Sequence, residues 1–250
     1  ILHLATNDFG GAGKASLRIH SALQDEGVNS TLLVKNKGSS NSRTFSVKRN
    51  TCLNFLNKLW AVALRRLKYS NKYSMYSMDK SAVNIVKSIV DLNLSPDVVV
   101  LHWISGFVTI NDITQIKKKF NCEIFWYAMD MSPFTGGCHF SWGCDEYKNS
   151  CQKCPAVKNI LYKNIPNEFF LNKRQALIDA NVSIIAPNKW VRKQVVQSAL
   201  QFNKIELCYL PLSKLTFVPR EKGASKEFRI FFGAQNISDV RKGAEYFIKA

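Results

Sequence analysis

Short apolar runs alternate along this chain with longer stretches whose apolar residues recur every three or four positions. Such alternation of strand and helix periods marks an α/β protein built on a parallel sheet. Residues 1–5, Ile-Leu-His-Leu-Ala, form the first run; Ala12, Ser16, Ile19 and Leu23 then follow at helical spacing until Gly27. Residues 28–34 read as a second strand, and the polar, basic, Ser- and Asn-rich stretch 35–50 as a loop. Helices are predicted over 53–69 and 81–92. Residues 98–102 form a continuous apolar strand of the kind buried on both faces of a parallel sheet. A helix over 110–120, a strand over 123–128, a helix over 169–180, a strand over 182–186, a helix over 189–200 and a strand over 205–210 complete one doubly wound, Rossmann-like domain, residues 1–212. Between about 132 and 160 the periodicity lapses into a Cys-rich loop insertion. Residues 213–227 have the Pro and charge content of a linker. A strand at 228–232, a loop at Gly233 and a helix over 242–250 begin a second Rossmann-like domain, truncated because one strand and one helix cannot complete it.

Composition adds one thing to this picture. Of 250 residues, 46% are hydrophobic and 21% charged, as in a folded protein, but the net charge is +17. Such an excess points to a polyanionic neighbour: nucleic acid, a phosphate-rich ligand or an anionic membrane surface. No run approaches the ~20 apolar residues that span a bilayer, and the first residues lack the basic start and cleavage site of a signal peptide. Seven cysteines without a secretion signal fit a reducing compartment, where clustered thiols more often hold a metal than pair. The expected location is cytoplasmic.

Three segments carry candidate chemistry. The first is Gly10-Gly11-Ala12-Gly13-Lys14, a glycine turn between strand and helix, where backbone N–H groups can meet an anion. A Walker A loop is excluded, because Asp8 stands where a Gly is required and Ala15 where Ser or Thr is needed. A dinucleotide fingerprint on Gly11 and Gly13 fails at its third glycine, which is Ser16; Lys35 at the end of the second strand is not an acidic ribose ligand, although a basic residue there suits NADP. A tight turn without a ligand stands as the alternative.

The second is the cysteine set Cys138, Cys144, Cys151 and Cys154, spaced C-x5-C-x6-C-x2-C within seventeen residues. Four thiolates match tetrahedral zinc, and the closing C-x2-C is a common zinc spacing. A structural zinc is expected, with His139 as a spare ligand; packing or redox pairing is the alternative. The third is the stripe Leu53, Phe55, Leu56, Leu59, Trp60, Ala63, Leu64 and Leu67 flanked by Lys58, Arg65, Arg66, Lys68 and Lys72. Such a helix either lies in an anionic membrane interface or packs on the sheet with a solvated basic face.

The run Trp126-Tyr127-Ala128-Met129-Asp130-Met131-Ser132-Pro133-Phe134-Thr135-Gly136-Gly137-Cys138-His139 is more specific. It resembles the bacterial glycosyltransferase family 4 enzymes of surface-polysaccharide assembly, in which a strand runs into a His-Asp-Met…Pro-Phe-Thr-Gly-Gly-Cys-His loop. Four more stretches fit that family in order: Gly10 to Gly13, Leu101-His102-Trp103, Ala186-Pro187-Asn188-Lys189-Trp190 and Arg241-Lys242-Gly243.

The resemblance implies a GT-B architecture, with two Rossmann-like domains facing one another and a sugar donor in the cleft. It implies a retaining hexosyltransferase that needs no metal or other cofactor for transfer, takes a nucleotide sugar, and extends a glycan or lipid-linked glycan acceptor. It also implies a place on the inner face of the cytoplasmic membrane. Gly10, Gly11 and Gly13 with Arg241 and Lys242 would bind the donor, the cations neutralising the leaving diphosphate. Asp130, His139 and His102 become the catalytic candidates, and Trp103 and Asn188 the acceptor-binding ones; His3 and His20 look structural. Three positions depart from the pattern: Met129 replaces the usual His before Asp130, Ala234 an arginine, and Pro211-Leu212-Ser213 the usual Pro-Asn-Gly. Two rival classes remain. One is a basic nucleic-acid-binding protein, although no specific nucleic-acid module is present; the other is a catalytically inactive scaffold of the same fold, suggested by Met129. This fragment by itself is expected to be inactive.

Overall fold

The computed structural model describes residues 1–47, 81, 83–157, 159, 163–212, 230–234 and 236–249. The predicted amphipathic helix at 53–69 and the linker at 213–227 lie outside these residues. The chain divides into two compact units, Ile1–Leu212 and Ser213–Ala250.

The first unit is a seven-stranded, all-parallel sheet of Rossmann-like α/β type. Its strands are β1 (Leu2–Asn7), β2 (Thr31–Asn36), β3 (Thr44–Ser46), β4 (Val98–Leu101), β5 (Glu123–Tyr127), β6 (Ser183–Ala186) and β7 (Ile205–Leu207). They lie in the order β3-β2-β1-β4-β5-β6-β7, every pairing parallel. The chain moves outward from β1 through β2 to β3, then returns to the other side of β1 as β4. The switch point of the topology, where ligands settle in such sheets, therefore lies at the carboxyl ends of β1 and β4.

The helices of this unit are α1 (Gly10–Asp25), α2 (Ile85–Asp91), α3 (Ile110–Phe120), α4 (Ile165–Asp179) and α5 (Lys189–Gln197). Their starts are mostly written in side chains. Asn84 accepts from the Lys87 N–H at the head of α2. Thr109 and Asp112 close a reciprocal capping box on α3, and Asn188 caps α5. Two helices lack a side-chain cap: α4, which has Pro166 and Glu168 in its first turn, and α1, whose N-cap Phe9 offers no side-chain bond and whose first turn holds no acidic residue.

Residues paired across a parallel sheet share a face, and the two faces differ. On one, Leu2, Leu4, Leu33, Val99, Leu101, Ile124, Trp126 and Ile184 join Ile85 and Ile89 of α2, Ile113 and Ile116 of α3, and Phe170 and Leu177 of α4 in one large apolar core. On the other, Ala5, Leu32 and Val34 make only a small cluster with Leu17 of α1. That face also carries His3, opposite Leu32 and Val100 in register.

The structure corrects several sequence expectations. A strand, β3, lies inside the stretch expected as loop, pairing Leu32 with Thr44 and Val34 with Ser46. Helix α1 starts at Gly10, and α4 reaches back to Ile165, because Pro166 in its first turn needs no intrahelical donor there. Helix α5 stops at Gln197, since Ser198 is extended. In the second unit, residues 230–232 join no sheet among the described residues, a strand being defined by a partner those residues do not supply. There Val240–Lys242 is a single 3-10 turn ended by Gly243 at φ 74. A short helix, α6 (Ala244–Lys249), follows it, so the helix begins after Lys242 and not at it. Among the described residues no helix is long and apolar enough to cross a membrane.

Candidate active site

Beyond β1 the chain enters the glycine turn. Gly10 adopts φ 71, a conformation L side chains avoid. Gly13 is demanded by packing: a Cβ there would lie 2.6 Å from the Asn7 carbonyl oxygen, so helix and strand end would separate. Gly11 is different, because a Cβ there would meet nothing within 4 Å. Its glycine serves neither packing nor an unusual φ, and the uncapped head of α1 beside it presents backbone donors of positive dipole end. Asp8 braces the turn. Its buried carboxyl accepts from the Gly38 N–H (2.7 Å), the Ser39 N–H (2.9 Å) and the Ser39 hydroxyl (2.6 Å). Burial opposes its ionisation, but these bonds outweigh burial and hold the carboxyl below its ordinary range. Lys35, where NADP binding would want a free cation, donates instead to the Gly106 carbonyl.

The end of β4 lies beside this turn: the Thr6 N–H donates to the Trp103 carbonyl (2.8 Å) and the Thr6 hydroxyl to the Ser105 carbonyl (3.0 Å). Here two consecutive side chains part company. His102 turns into the small face, where its Nε2 meets His3 Nδ1 at 2.9 Å. His20 of α1 stands edge-on to His3 at 5.8 Å and is held by the Ser30 hydroxyl (2.7 Å). His3 Nε2 and His102 Nδ1 have no hydrogen-bond partner among the described residues. Whichever imidazole donates in the pair, one N–H and one lone pair are left over. Burial first, then the neighbouring imidazoles, push His3 well below the ordinary range and His102 to about 3; burial, with Arg43 and against the Asn41 hydrogen bond, lowers His20.

Trp103 goes the other way, to the loop after β5. There Asp130 Oδ2 lies 2.5 Å from His139 Nδ1, and Asp130 Oδ1 accepts the Ser132 N–H at 2.8 Å. Each carboxylate oxygen thus has its own task, one orienting an imidazole and one turning the loop. The indole of Trp103 lies 5.7 Å from the His139 ring, with its Nε1 3.2 Å from the same Nδ1. The Met131 N–H bonds the His139 carbonyl (3.1 Å), and the Thr135 hydroxyl the Cys138 carbonyl (2.8 Å), closing the loop on itself.

A residue the sequence reading missed fixes this loop. Lys173 of α4 is 1% exposed, donates to the Ser132 carbonyl (2.6 Å) and the Thr135 carbonyl (2.8 Å), and lies 4.5 Å from the Phe169 ring centre. Its place in the apolar stripe of Phe170, Ala176 and Leu177 was the one available signal.

The remaining candidates are placed as follows. The Asn188 side chain accepts from the Val191 N–H (2.8 Å) as a cap. In the second unit, Arg241 forms a fork with Asp239, Nε at 2.9 Å from Oδ1, while Lys242 is exposed. The six described cysteines are free thiols. Cys138 donates a thiol hydrogen bond to Cys154 and lies within electrostatic range of Cys151 and Cys144. That bond holds the Cys154 thiol below its ordinary range against its burial, helped by the Ala156 and Val157 N–H groups, while the same bond and then burial push Cys138 up. Burial pushes Cys151 up to about 12. Among the described residues no three His, Cys, Asp or Glu side chains already stand as a metal-holding set. His139, the spare ligand of the sequence reading, is engaged by Asp130.

No family model matches the chain, and no curated protein matches it in sequence. Among solved structures it is similar to a UDP-glucose: anthocyanidin 3-O-glucosyltransferase in complex with UDP, at 7% identity and a TM-score of 0.40, over 89% of this chain and 55% of that one. The chain thus spans about half the length of that protein.

Proposed function

We propose that the chain belongs to a retaining glycosyltransferase that moves a hexose from a nucleotide sugar to a lipid-linked glycan acceptor in cell-surface polysaccharide synthesis. In this reading residues 1–212 form the acceptor-side domain, 213–227 the linker and 228–250 the start of the donor-side domain. The observation that supports it is the company kept at the switch point: an uncapped glycine-headed helix after β1 and, tied to it through Thr6, Trp103 beside the Asp130–His139 pair. One is suited to a diphosphate, the other to sugar hydroxyls.

With Nδ1–H given to Asp130, His139 keeps a lone pair on Nε2 to accept a hydrogen bond from a sugar hydroxyl. Trp103 offers an apolar platform for a sugar ring. Lys242, with Arg241, supplies fixed positive charge for the leaving diphosphate, so transfer needs no metal. His102 serves by packing, and Asn188 by capping. The net charge of +17 suits a peripheral enzyme on the anionic inner face of the cytoplasmic membrane.

The test is binding of UDP-, GDP- and ADP-sugars to the full-length protein, followed by transfer to lipid-linked glycan. One donor class should bind, and Gly11→Val should weaken it at least ~10-fold, with the melting temperature unchanged, because that Cβ displaces ligand and not protein. Affinity for DNA or heparin without any nucleotide-sugar binding would overturn the assignment. Met129 in place of the family's histidine favours a second reading, a donor-binding scaffold; binding without turnover would select it.

A further inference from the structure

Helix α5 carries its charges where they oppose it. Its nine residues hold Lys189, Arg192 and Lys193, with no acidic residue in the first turn and no basic one in the last. Helix α3 does the reverse, with Asp112 in its first turn and Lys117, Lys118 and Lys119 in its last, each sign at the end the macrodipole favours. Helix α2 pairs Lys87 with Asp91 one turn on. In α5 the residues one turn on from Lys189 are Arg192 and Lys193, so like charges are neighbours near the positive end of the helix. Among the described residues none of the three side chains has an ion-pair or hydrogen-bond partner. From Ala180 to Ile205 the chain adds Lys204 and no acidic residue. Within the chain this arrangement is unfavourable; an anionic surface held against it turns the same charges to advantage.

The apolar residues of α5 fall into two sets. Val191 and Val195 point to the core. At about 3.6 residues per turn, the opposite side is centred on Lys193 with Lys189 beside it, Trp190 along one edge and Arg192 and Val196 along the other. Trp190 is 58% exposed and Val196 63%. The helix packs on β6 and β7, the last two strands of the sheet, so this side lies at the margin of the unit. A polyanion such as nucleic acid would use the cations and do nothing for the valine. A bilayer uses both kinds of group. Anionic headgroups meet the cations, while the indole and the valine settle at the boundary with the acyl chains.

We propose that the outward side of α5, with Lys189, Arg192 and Lys193 as its charges and Trp190 and Val196 as its apolar edges, docks the protein on an anionic lipid bilayer. The inference rests on the peripheral-membrane part of the proposed function and does not need glycosyl transfer to be the reaction.

The full-length protein is sedimented with vesicles of phosphatidylcholine alone or mixed with phosphatidylglycerol. It should bind the mixed vesicles far more tightly, and added salt should weaken that binding by screening the cations. Lys189→Gln/Lys193→Gln should lower the partition coefficient ~25-fold, at ~5-fold for each cation near the surface. The melting temperature should be no lower, because a like-charge pair has been removed. The same change of charge on α3, Lys118→Gln/Lys119→Gln, should cost less than about threefold, the long-range share alone. Brominated acyl chains should quench part of the tryptophan emission, and Trp190→Phe should remove that part. Binding of nucleotide sugars, measured on the same protein, keeps the two readings apart. Vesicle binding undiminished by the α5 double substitution overturns this docking face and leaves the membrane placement standing. Protein that binds a nucleotide sugar but no vesicle overturns both the face and the placement. Duplex DNA bound more tightly than the mixed vesicles, and lost in the same variant, gives the face to nucleic acid and overturns the proposal.

Discussion

His102 and His139 are equally buried, each 2% exposed, and the structure nevertheless sends their imidazoles in opposite chemical directions. His102 meets a second imidazole, His3, and the pair ends with one unused nitrogen on each ring. His139 meets the Asp130 carboxylate, whose other oxygen is already committed to the Ser132 N–H. Burial alone makes a histidine neutral and inert; a carboxylate fixes its tautomer and leaves the far nitrogen available. The two centres are one residue apart at the end of β4, because His102 and Trp103 point to opposite sides. The partner, and not burial alone, therefore decides which nitrogen of a buried histidine is left unengaged.

The largest effect should come from the residue that supports one centre and not the other. Lys173→Met leaves the Ser132 and Thr135 carbonyls buried without their donor, each at about 1–3 kcal/mol. We expect chemical denaturation to show a loss of about 2–4 kcal/mol. In NMR spectra the His139 resonances should move while those of His102 stay in place. Movement of both would mean that the two centres are not separate.

Catalysis should divide them next. If His139 holds the reacting sugar, Asp130→Asn in the full-length enzyme lowers kcat at least ~100-fold, about 2.7 kcal/mol of transition-state stabilisation. His102→Gln should leave kcat within about threefold, under 1 kcal/mol. The reverse pattern would move the chemistry to the histidine pair.

Acid should act through the other centre. His3 and His102 are held below their ordinary range when folded, His102 at about 3, whereas unfolded histidines titrate near ~6.5. In that window the unfolded chain binds protons that the folded chain does not. Stability is therefore complete above about pH 6.5 and falls as pH drops, by about 1.4 kcal/mol per unit for each imidazole. The Asp8 carboxyl, also lowered, begins to contribute only near its unfolded value of about 3.9, so denaturation between pH 7 and 5.5 isolates the histidines. A His3→Leu/His102→Leu protein should lose most of this slope; an undiminished slope would place the acid sensitivity elsewhere.

Much of the sheet was legible because its strands are apolar enough to be read locally: residues 98–102 announce β4, and 1–5 announce β1. What escaped depends on partners far along the chain. Strand β3 is three residues in a polar stretch, and only its pairing with Leu32 to Val34 of β2 makes it a strand. Lys173 could not be read as buried, since the carbonyls that hold it leave no trace in side-chain identity. His3 and His102 pair across ninety-nine positions, a contact fixed by the β1–β4 register. Of the site, the run from Asp130 to His139 was visible as a motif, but the bond joining its ends, and the exclusion of His102 from it, were not.

The smallest expected effect concerns Trp103, and it settles which partner owns His139 Nδ1. That nitrogen lies 2.5 Å from Asp130 Oδ2 and 3.2 Å from Trp103 Nε1, yet it has one site in the ring plane. If Nδ1 carries the proton, it donates to Asp130, and the indole N–H has no lone pair there to meet. If Nδ1 is bare, it can accept from Trp103, but then it faces a carboxylate lone pair at 2.5 Å, which is repulsive unless Asp130 is protonated. The shorter contact and the charge of the carboxylate favour the first arrangement. Trp103→Phe keeps an aromatic ring beside His139 and removes only the N–H. We therefore expect it to cost less than about 0.5 kcal/mol, below the net worth of an ordinary hydrogen bond. The nitrogen chemical shifts of His139 should show the Nδ1–H tautomer in both proteins. A switch of tautomer in the phenylalanine variant would show that the indole holds Nδ1. Asp130 would then be only a turn-former, and the contrast with His102 would lose its basis.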